Sequence, residues 1–366
     1  MKKIPIFKLE FEKNFINNFK KLSTKIFRSK SLSEGDFVNR FENKFSKFVK
    51  SKYAVSVSNG TTALELAFKA INIKGKEVIV PTNTFFATVI SIINAGGVPV
   101  LCDNEKNSTD PDFEEIKKKI NKKTKALCVV HVGGIISNNI DKIKKFCKKK
   151  KIFLIEDAAH AHGSNLDNIF NAGSIGDLGC FSFFPTKVMT TGEGGMITSN
   201  NLKLIKKIKE YKNFGRSKNP LILNSVGSNN KISEFTALMG LLELDRINYR
   251  INRRKKIVHR YIKNLRNNKN YSVIIQHKGK CSYYKCIIKT KKNSSMIKRI
   301  CSKKNIELTG KVWEVPIHKQ KVFRKFIKYE KFKNSDHFSK HHICPPNYPE
   351  LSFKEVDFIT SVLNKI

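Results

Sequence analysis

The chain has no long uninterrupted run of apolar residues. No stretch approaches the roughly 18–20 apolar residues that a membrane-spanning helix needs, and residues 1–5 are not followed by the apolar segment of a secretory signal peptide. The sequence therefore argues against an integral membrane protein and against a secreted one. We expect a cytoplasmic protein without a membrane span.

Cysteine pairs at the spacing of redox or zinc motifs are also absent. None of the eight cysteines forms a Cys-x-x-Cys pair, and several lie inside apolar, strand-like runs. We expect them to be small buried side chains rather than metal ligands or disulfides. Two histidine pairs, His160 with His162 and His341 with His342, are further candidates for metal ligands. The cofactor inferred below explains the first pair better, and we predict no metal site.

Negative charge is scarce, because 30 Asp and Glu stand against 71 Lys and Arg, which gives a formal net charge of +41. Such an excess suggests nucleic-acid binding. Its distribution argues against that function, since lysines recur along the polar faces of predicted helices, as in residues 117–119 and 144–150. Abundant Asn, Ile and Phe, whose codons are rich in A and T, point instead to a biased genome. We predict no nucleic-acid partner.

Short apolar strands alternate with helical patterns between residues 53 and 245. Most of these strands are continuously apolar, which suits a mostly parallel sheet covered by helices on both faces. The alternation indicates an α/β fold. The predicted strands cover residues 53–57, 77–80, 98–102, 126–130, 152–155, 180–184 and 195–198, and the predicted helices cover residues 62–71, 86–94, 113–120 and 140–149.

The pattern changes near Leu244, and a chain of 366 residues is long enough for two domains. A long basic helix is predicted over residues 246–265, followed by weaker strands over residues 282–288 and 312–315. Ser352 is expected to start a terminal helix over residues 353–363. We predict a large α/β domain with an N-terminal arm over residues 1–245 and a smaller α+β domain over residues 246–366.

One lysine stands apart from the others. Lys187 follows a short apolar run that ends in Pro185 and precedes a Gly-rich turn, and no other basic residue lies between Cys180 and Asn200. A lysine amine in an apolar setting is a nucleophile that can form Schiff bases. For this residue taken alone, an ordinary loop lysine is the simpler interpretation.

Other polar groups gather where the predicted strands end, which is where doubly wound sheets bind ligands. Residues 58–63 follow the first strand and open a helix, an arrangement that suits a phosphate. An aromatic ring, Phe85, follows the second strand, and Asp157 and His160 follow the fifth. Together with Lys187 these residues supply a phosphate cradle, a stacking ring, a carboxylate and an amine, which are what pyridoxal 5′-phosphate (PLP) requires.

Four segments, in order along the chain, resemble the motifs of one known family. Residues 58–64 resemble its Ser-Asn-Gly-Thr-x-Ala-Leu turn, and residues 84–88 resemble Thr-[Phe/Trp]-Val-Ala-Thr. Residues 156–163 resemble Glu-Asp-Ala-Ala-Gln-Ala-His-Gly, and residues 182–195 resemble the family's lysine signature. On these motifs the chain is similar to the DegT/DnrJ/EryC1/StrS family of PLP-dependent sugar aminotransferases. The resemblance implies the aspartate-aminotransferase (type I) fold.

The resemblance also implies a role for each matching position. Lys187 should bind PLP as a Schiff base, and Asp157 should pair with the pyridinium nitrogen. His160, which replaces a frequent Gln, should lie near the phenolic oxygen of the cofactor. The implied phosphate ligands are Gly60, Thr61, Thr62 and Ser182, and the implied stacking ring is Phe85.

Two segments later in the chain extend the implied site. Residues 226–232 resemble Val-Gly-Tyr-Asn-Tyr-Arg-Met, whose Asn reaches the cofactor phosphate of the neighbouring subunit, although three positions of this loop differ from the motif. Asn229 is therefore implied to contact PLP across a homodimer with shared active sites. The segment around Trp313 and His318 resembles one that faces the sugar, which makes these two residues candidate substrate contacts.

The implied reaction is transfer of an amino group from an amino acid, with L-glutamate expected, to a keto sugar. The sugar is expected to be nucleotide-linked, and its product is expected to enter surface polysaccharide or glycan biosynthesis. One alternative is a PLP-dependent sugar dehydratase of the same family, which carries His in place of the lysine, so that Lys187 argues against it. Another is a non-catalytic regulatory protein that binds PLP or a polyanion.

Overall fold

The computed structural model describes residues 3–216, 219, 221–308 and 312–366. The helices are α1 (Lys13–Ser29), α2 (Asp36–Phe48), α3 (Gly60–Ala70), α4 (Phe86–Asn94), α5 (Phe113–Lys119), α6 (Ile140–Lys150), α7 (Leu202–Lys212), α8 (Glu234–Leu265), α9 (Ser294–Lys303), α10 (Lys333–Lys340) and α11 (Phe353–Asn364). The strands are β1 (Tyr53–Val57), β2 (Glu77–Pro81), β3 (Val98–Cys102), β4 (Thr124–Val130), β5 (Phe153–Asp157), β6 (Asn165–Leu166), β7 (Phe170–Asn171), β8 (Leu178–Ser182), β9 (Gly195–Ser199), β10 (Tyr271–Val273), β11 (Ile288–Thr290) and β12 (His342–Ile343).

A seven-stranded sheet forms the centre of the fold, in the order β1-β9-β8-β5-β4-β2-β3. Strands β8, β5, β4, β2 and β3 pair in parallel, whereas β9 runs antiparallel to both β1 and β8. Every strand of this sheet except β9 therefore points the same way, and their carboxyl ends meet at one edge. The predicted α/β fold with a mostly parallel sheet is confirmed.

Both faces of this sheet are buried, which explains why its strands are continuously apolar. In β4, Leu127 and Val129 pack into a core that includes Phe41 of α2, whereas Ala126 and Cys128 pack into a second core with residues of α3. Successive side chains of a strand point to opposite faces. Each face therefore has its own apolar set and its own layer of helices.

Helix α8 links the central sheet to the C-terminal part of the chain. It begins at Glu234 rather than at the predicted residue 246, because the hydroxyl of Ser233 accepts a hydrogen bond (3.1 Å) from the backbone N–H of Thr236 and caps the helix there. The predicted boundary between residues 245 and 246 lies inside this continuous helix, and the division into two domains stays a prediction. Strands β10, β11 and β12 form a separate antiparallel sheet.

Two predicted strands of the C-terminal part are wrong. Within residues 282–288 only Ile288 belongs to a strand, and the described residues 312–315 contain none. The first error has a local cause, since Tyr283 adopts a left-handed backbone conformation with φ 47°, which interrupts any extended segment. The terminal helix is predicted correctly: Ser352 and Glu355 form a reciprocal capping box at the start of α11.

The eight cysteines and His162 behave as core residues. All eight cysteines are buried. His162 packs against Phe181 and Phe183, with ring centroids 5.3 and 5.7 Å away, and burial lowers the pKa of its imidazole to about 3. Within the described ranges no group of three or more His, Cys, Asp or Glu side chains could hold a metal ion, and no helix is long and apolar enough to cross a membrane.

Candidate active site

A cleft of about 640 Å³ lies at the edge where the parallel strands end. This volume is in the range typical of small-molecule sites. Elements far apart in the sequence enclose it, namely the start of α3, the ends of β5 and β8, the loop after β8 and two C-terminal segments. The sequence-predicted residues that line it are Gly60, Thr61, Thr62, Phe85, Asp157, His160, Ser182, Lys187 and Trp313.

The turn after β1 has the form of an anion cradle. The side chain of Asn59 accepts a hydrogen bond (2.8 Å) from the N–H of Thr62 and so starts helix α3 beside the cleft. The first N–H groups of a helix have no partner within it, and they attract anions. Gly60 is required here, since a Cβ atom at this position would lie 2.6 Å from Cβ of Ser182. Without a side chain at Gly60, the start of α3 packs directly against Ser182 at the end of β8, and both residues line the cleft.

Asp157 is the last residue of β5 and is almost completely buried at 7% exposure. Its carboxylate accepts hydrogen bonds from the hydroxyl of Thr88 (2.8 Å) and the N–H of Ala159 (3.2 Å). Burial raises its pKa above the usual 3.8, and these hydrogen bonds and the positive charge of Lys187 oppose that effect. No ion pair to this carboxylate occurs within the described residues. Asp157 could therefore accept a hydrogen bond from a protonated nitrogen of a ligand.

Lys187 lies in a loop that is fastened to the core on both sides. Its N–H donates to the carbonyl of Phe184 (2.9 Å), and the N–H of Thr190 donates to the buried carboxylate of Glu243 (3.2 Å). Its Nζ lies 4.9 Å from the centroid of the Tyr284 ring. No carboxylate of the described residues forms an ion pair with Lys187, so its amine faces the cleft without a fixed counter-ion.

His160 is held in one orientation as a neutral ring. Its Nδ1 accepts a hydrogen bond (3.3 Å) from the N–H of Gly133, which leaves the proton of a neutral imidazole on Nε2. Burial, with the charges of Lys187 and Lys285, lowers its pKa well below 6.5. The ring stacks on Tyr284 at 4.2 Å between centroids and lies nearly parallel to Trp313 at 6.1 Å. His160 is therefore a hydrogen-bond donor in the cleft rather than a charge.

Neighbours of the predicted residues prove to be structural. Glu156 is fully buried, and its carboxylate accepts hydrogen bonds from His131 (2.9 Å) and from the N–H groups of residues 173, 175 and 176. This network fixes the end of β5 and with it Asp157. Asp103, which follows β3, accepts hydrogen bonds from Ser335 and Asn334 at the start of α10. It therefore anchors α10 instead of entering the cleft.

Tyr284 and Lys285 line the cleft and were missed by sequence reasoning. The hydroxyl of Tyr284 is hydrogen bonded (3.1 Å) to that of Thr186, next to the key lysine. Burial raises the pKa of Tyr284, but the charges of Lys187 and Lys285 outweigh it, so the net pKa lies below the usual 10. The segment reads as an ordinary strand in the sequence, and only the left-handed turn at Tyr283 brings these two side chains into the cleft.

Of the predicted residues Phe85, His318 and Asn229, only Phe85 lines the cleft. Phe85 is 46% exposed, and its ring centroid lies 3.9 Å from the ring centroid of Phe86. His318 is not among the lining residues, since its ring is held between Thr82 (2.7 Å) and Asp336 (3.0 Å). Asn229 is exposed and lies outside the cleft.

A family model matches nearly the whole sequence. The model, described as the DegT/DnrJ/EryC1/StrS aminotransferase family, covers residues 14–364. A GDP-perosamine synthase of Escherichia coli O157:H7 is 31% identical over 340 residues, which are 91% of each chain. A GDP-perosamine synthase of Vibrio cholerae is 39% identical over 231 residues, and this alignment covers 63% of the present chain and 62% of that protein.

Solved structures share the fold over nearly the whole chain. Helicobacter pylori PseC, described as an aminotransferase involved in the biosynthesis of pseudoaminic acid, superposes with a TM-score of 0.92 at 23% identity, over 100% of this chain and 99% of that one. A GDP-4-keto-6-deoxymannose-3-dehydratase with a trapped PLP–glutamate adduct superposes with a TM-score of 0.89 at 23% identity, over 98% and 99%. At the level of the family, the predictions of a sugar aminotransferase and of PLP as its cofactor are confirmed. The chain belongs to the DegT/DnrJ/EryC1/StrS aminotransferase family.

Proposed function

We propose that the protein transfers the amino group of L-glutamate to a keto sugar linked to a nucleotide, and that the product enters polysaccharide or glycan biosynthesis. The observation that carries this proposal is the meeting of Lys187, Asp157 and the anion cradle at residues 59–62 in one cleft. The names of the relatives support the acceptor class, since they include GDP-, dTDP- and UDP-linked amino sugars.

The residues that line the cleft fit PLP. The start of α3 with Ser182 would hold the phosphate, because its free N–H groups and the missing side chain of Gly60 leave an anion site there. Asp157 would hold the ring nitrogen, since its buried carboxylate has no cationic partner among the described residues. His160, neutral and with its Nε2 proton available, would donate to the ring oxygen. When bound, the cofactor supplies the electron sink for proton removal from the amino donor.

The chain itself contributes a base and a fixed charge. The Lys187 amine would accept the proton from the donor's α-carbon and would release it again as the amino group is transferred. In the second half of the reaction the same amine would deliver a proton to the sugar carbon. Asp157 would keep its negative charge against the ring nitrogen and would stabilise the charge that develops there.

The two alternatives receive less support. A sugar dehydratase remains a fold relative, but it would need another residue in place of Lys187. A regulatory protein without catalysis would not need an unpaired lysine beside a buried carboxylate. Its basic surface is the argument in its favour, and no nucleic-acid partner is proposed. The cytoplasmic location stays a prediction.

We infer that the enzyme is a homodimer in which Asn229 reaches the partner's cofactor phosphate. Asn229 is exposed and lies outside the cleft of its own subunit. Apolar side chains in the segment just before Asn229 are largely exposed, including Leu221 at 91% and Val226 at 92%. Such exposure is expected of a surface that a second subunit covers.

Trp313 and His318 are proposed as substrate contacts. Trp313 lines the cleft on the side of the C-terminal segment and offers an indole face to a sugar ring. His318 lies outside the cleft lining and fixes the loop after β2 through its hydrogen bond to Thr82. It would contact only a substrate that extends beyond the cleft.

The reaction is tested by following the nitrogen atom. The PLP-loaded enzyme is incubated with ¹⁵N-glutamate and a panel of GDP-, UDP- and dTDP-linked 3- and 4-keto sugars, and the products are measured by mass spectrometry. We expect ¹⁵N in one amino sugar together with an equal amount of 2-oxoglutarate. A sugar that loses its hydroxyl without gaining nitrogen would identify a dehydratase, and no change in any sugar would contradict the proposal.

A further inference from the structure

Lys285 occupies its place in the cleft because of an unusual turn. Neighbouring residues of an extended strand point to opposite faces, so a strand over residues 282–288 would direct Tyr284 and Lys285 away from each other. The structure has no strand there, and Tyr283 adopts φ 47°. A left-handed conformation is costly for a residue with a large side chain, and such strain concentrates at functional sites. Both Tyr284 and Lys285 line the cleft as a result.

This turn is fixed by hydrogen bonds from several directions. The side-chain amide of Asn347 donates to the carbonyl of Tyr283 (2.6 Å), and the hydroxyl of Ser282 donates to the carbonyl of His160 (2.6 Å). The N–H of Lys285 itself donates to the carbonyl of Gly133 (3.4 Å). The position of Lys285 is therefore built into the fold and joined to the loop after β5, which carries His160, and to the loop after β4.

Among the residues that the structure describes, the ammonium group of Lys285 has no counter-ion. It lies 5.2 Å from the centroid of the Tyr284 ring, and no carboxylate of the described residues forms an ion pair with it. Glu193 and Asp157, the carboxylates that line the same cleft, are not paired with it either. A cation in a partly buried cleft without a counter-ion costs free energy, unless a ligand supplies the negative charge.

Lys285 lies near the reacting amine but is not needed for its chemistry. The Nζ atoms of Lys187 and Lys285 are 4.9 and 5.2 Å from the same ring centroid, so they are at most about 10 Å apart. A single small molecule that reacts at Lys187 can therefore place an acidic group against Lys285. The anion cradle on α3 is a separate set of residues, which the cofactor phosphate would occupy.

We propose that Lys285 is an anion subsite for the substrate, and that it binds an acidic group one sugar ring or one side chain away from the reacting atom. This inference rests on the proposed function. The acidic group has two possible sources, the diphosphate of the nucleotide-linked sugar and the carboxylate of the amino donor. Either source supplies anionic oxygens to the ammonium group.

Binding at this subsite has a direct optical probe, because Trp313 lines the same cleft and is the only tryptophan of the chain. Its fluorescence is titrated in the PLP-loaded enzyme with GDP, with 2-oxoglutarate and with uncharged guanosine. The variants are Lys285→Gln, which removes the charge, and Lys285→Arg, which keeps it. Lys291→Gln, an exposed lysine of the same segment, is the matched control.

We expect Lys285→Gln to lower the affinity for one of the two anions by about tenfold or more, as for loss of a charge-assisted hydrogen bond. The affinity of this variant for guanosine, and both anion affinities of the Lys291→Gln control, should stay at the wild-type values. Selective loss of GDP affinity would assign the subsite to the nucleotide diphosphate, and selective loss of 2-oxoglutarate affinity would assign it to the donor. Lys285→Arg should restore most of the affinity, and added salt should weaken the wild-type interaction.

Equal affinities of wild type and Lys285→Gln for both anions would overturn the inference. A loss that extends equally to guanosine would also overturn it, because the lysine would then only support the shape of the cleft. These titrations need no turnover. Anion binding through Lys285 can therefore be established even if no keto sugar is aminated, and amino transfer can proceed even if Lys285 proves irrelevant.

Discussion

The imidazole of His160 and the phenol ring of Tyr284 are stacked, with centroids 4.2 Å apart and planes inclined by 29°. His160 follows strand β5, whereas Tyr284 comes from the C-terminal part of the chain. The stack therefore joins the loop after β5 to a segment more than a hundred residues later. It also places a second ring beside Lys187.

Replacing Tyr284 should separate the role of its ring from that of its hydroxyl. Tyr284→Phe keeps the stack and loses the hydrogen bond to Thr186, so we expect kcat/KM to fall by about threefold. Tyr284→Leu also loses the stack, and we expect a fall of about tenfold with a changed visible spectrum of the bound cofactor. The exposed Tyr329→Leu serves as control. Equal losses in the Phe and Leu variants would contradict a role for the stack.

Asp157→Asn should lose activity while the cofactor-free protein becomes more stable. Since burial raises the pKa of Asp157, its stabilising contribution is present below pH 3.8 and is lost as the pH rises through the raised value. The amide avoids that loss, so the stability of the variant relative to wild type should increase from pH 4 to pH 7. The rate of the cofactor-loaded variant should fall by about a hundredfold or more, because the negative charge that Asp157 holds against the ring nitrogen is gone.

Melting curves of both cofactor-free proteins at several pH values, together with the rate at pH 7, test this prediction. If Asp157 served only to hold the loop through Ala159, the variant would lose stability of about 1 kcal/mol and keep its rate. That result would remove Asp157 from the catalytic account.

A second buried carboxyl gives a stability test away from the cleft. Burial raises the pKa of Asp110 to about 6, against hydrogen bonds from Asn138 that lower it. Its contribution to stability is therefore present below pH 3.8 and is lost as the pH rises through 6. Asp110→Asn should gain up to about 3 kcal/mol relative to wild type between pH 4 and pH 7. Urea unfolding at both pH values measures this, and Asp141→Asn, at a half-exposed side chain near the start of α6, should show no such trend.

The sequence allowed most of the cleft to be predicted, because its parts lie at the ends of regular elements. Gly60, Asp157 and Ser182 each stand at the start of a helix or at the end of a continuously apolar strand, and the order of such elements fixes which edge they share. The antiparallel direction of β9 could not be read from its apolar residues, since a buried strand has the same composition in either direction.

The C-terminal contribution was less predictable for a physical reason. Tyr284 and Lys285 reach the cleft through the left-handed turn at Tyr283, which depends on Asn347 from a distant segment. Local propensity favours a strand for such residues, and tertiary hydrogen bonds override it. The start of α8 was missed likewise, although Ser233 followed by Glu234 is a usable capping signal.

Mixed dimers test whether Asn229 serves the partner subunit. Lys187→Ala and Asn229→Ala are each expected to lack most activity, the second because a phosphate ligand is lost. If the sites are shared, each mixed dimer has one site with both residues intact, so an equal mixture should regain about a quarter of the wild-type activity. Dimers verified by two different affinity tags that stay inactive would show that Asn229 does not act across an interface.

The central claim is that Lys187 is the residue that binds the cofactor. It is tested most directly by reducing the PLP-loaded enzyme with borohydride and mapping the labelled peptide by mass spectrometry. We predict one pyridoxyl group per chain, on Lys187, with Lys285→Gln labelled to the same extent and Lys187→Ala unlabelled. A label on Lys285 or any other lysine in the wild-type enzyme, or no label at all, would contradict the account.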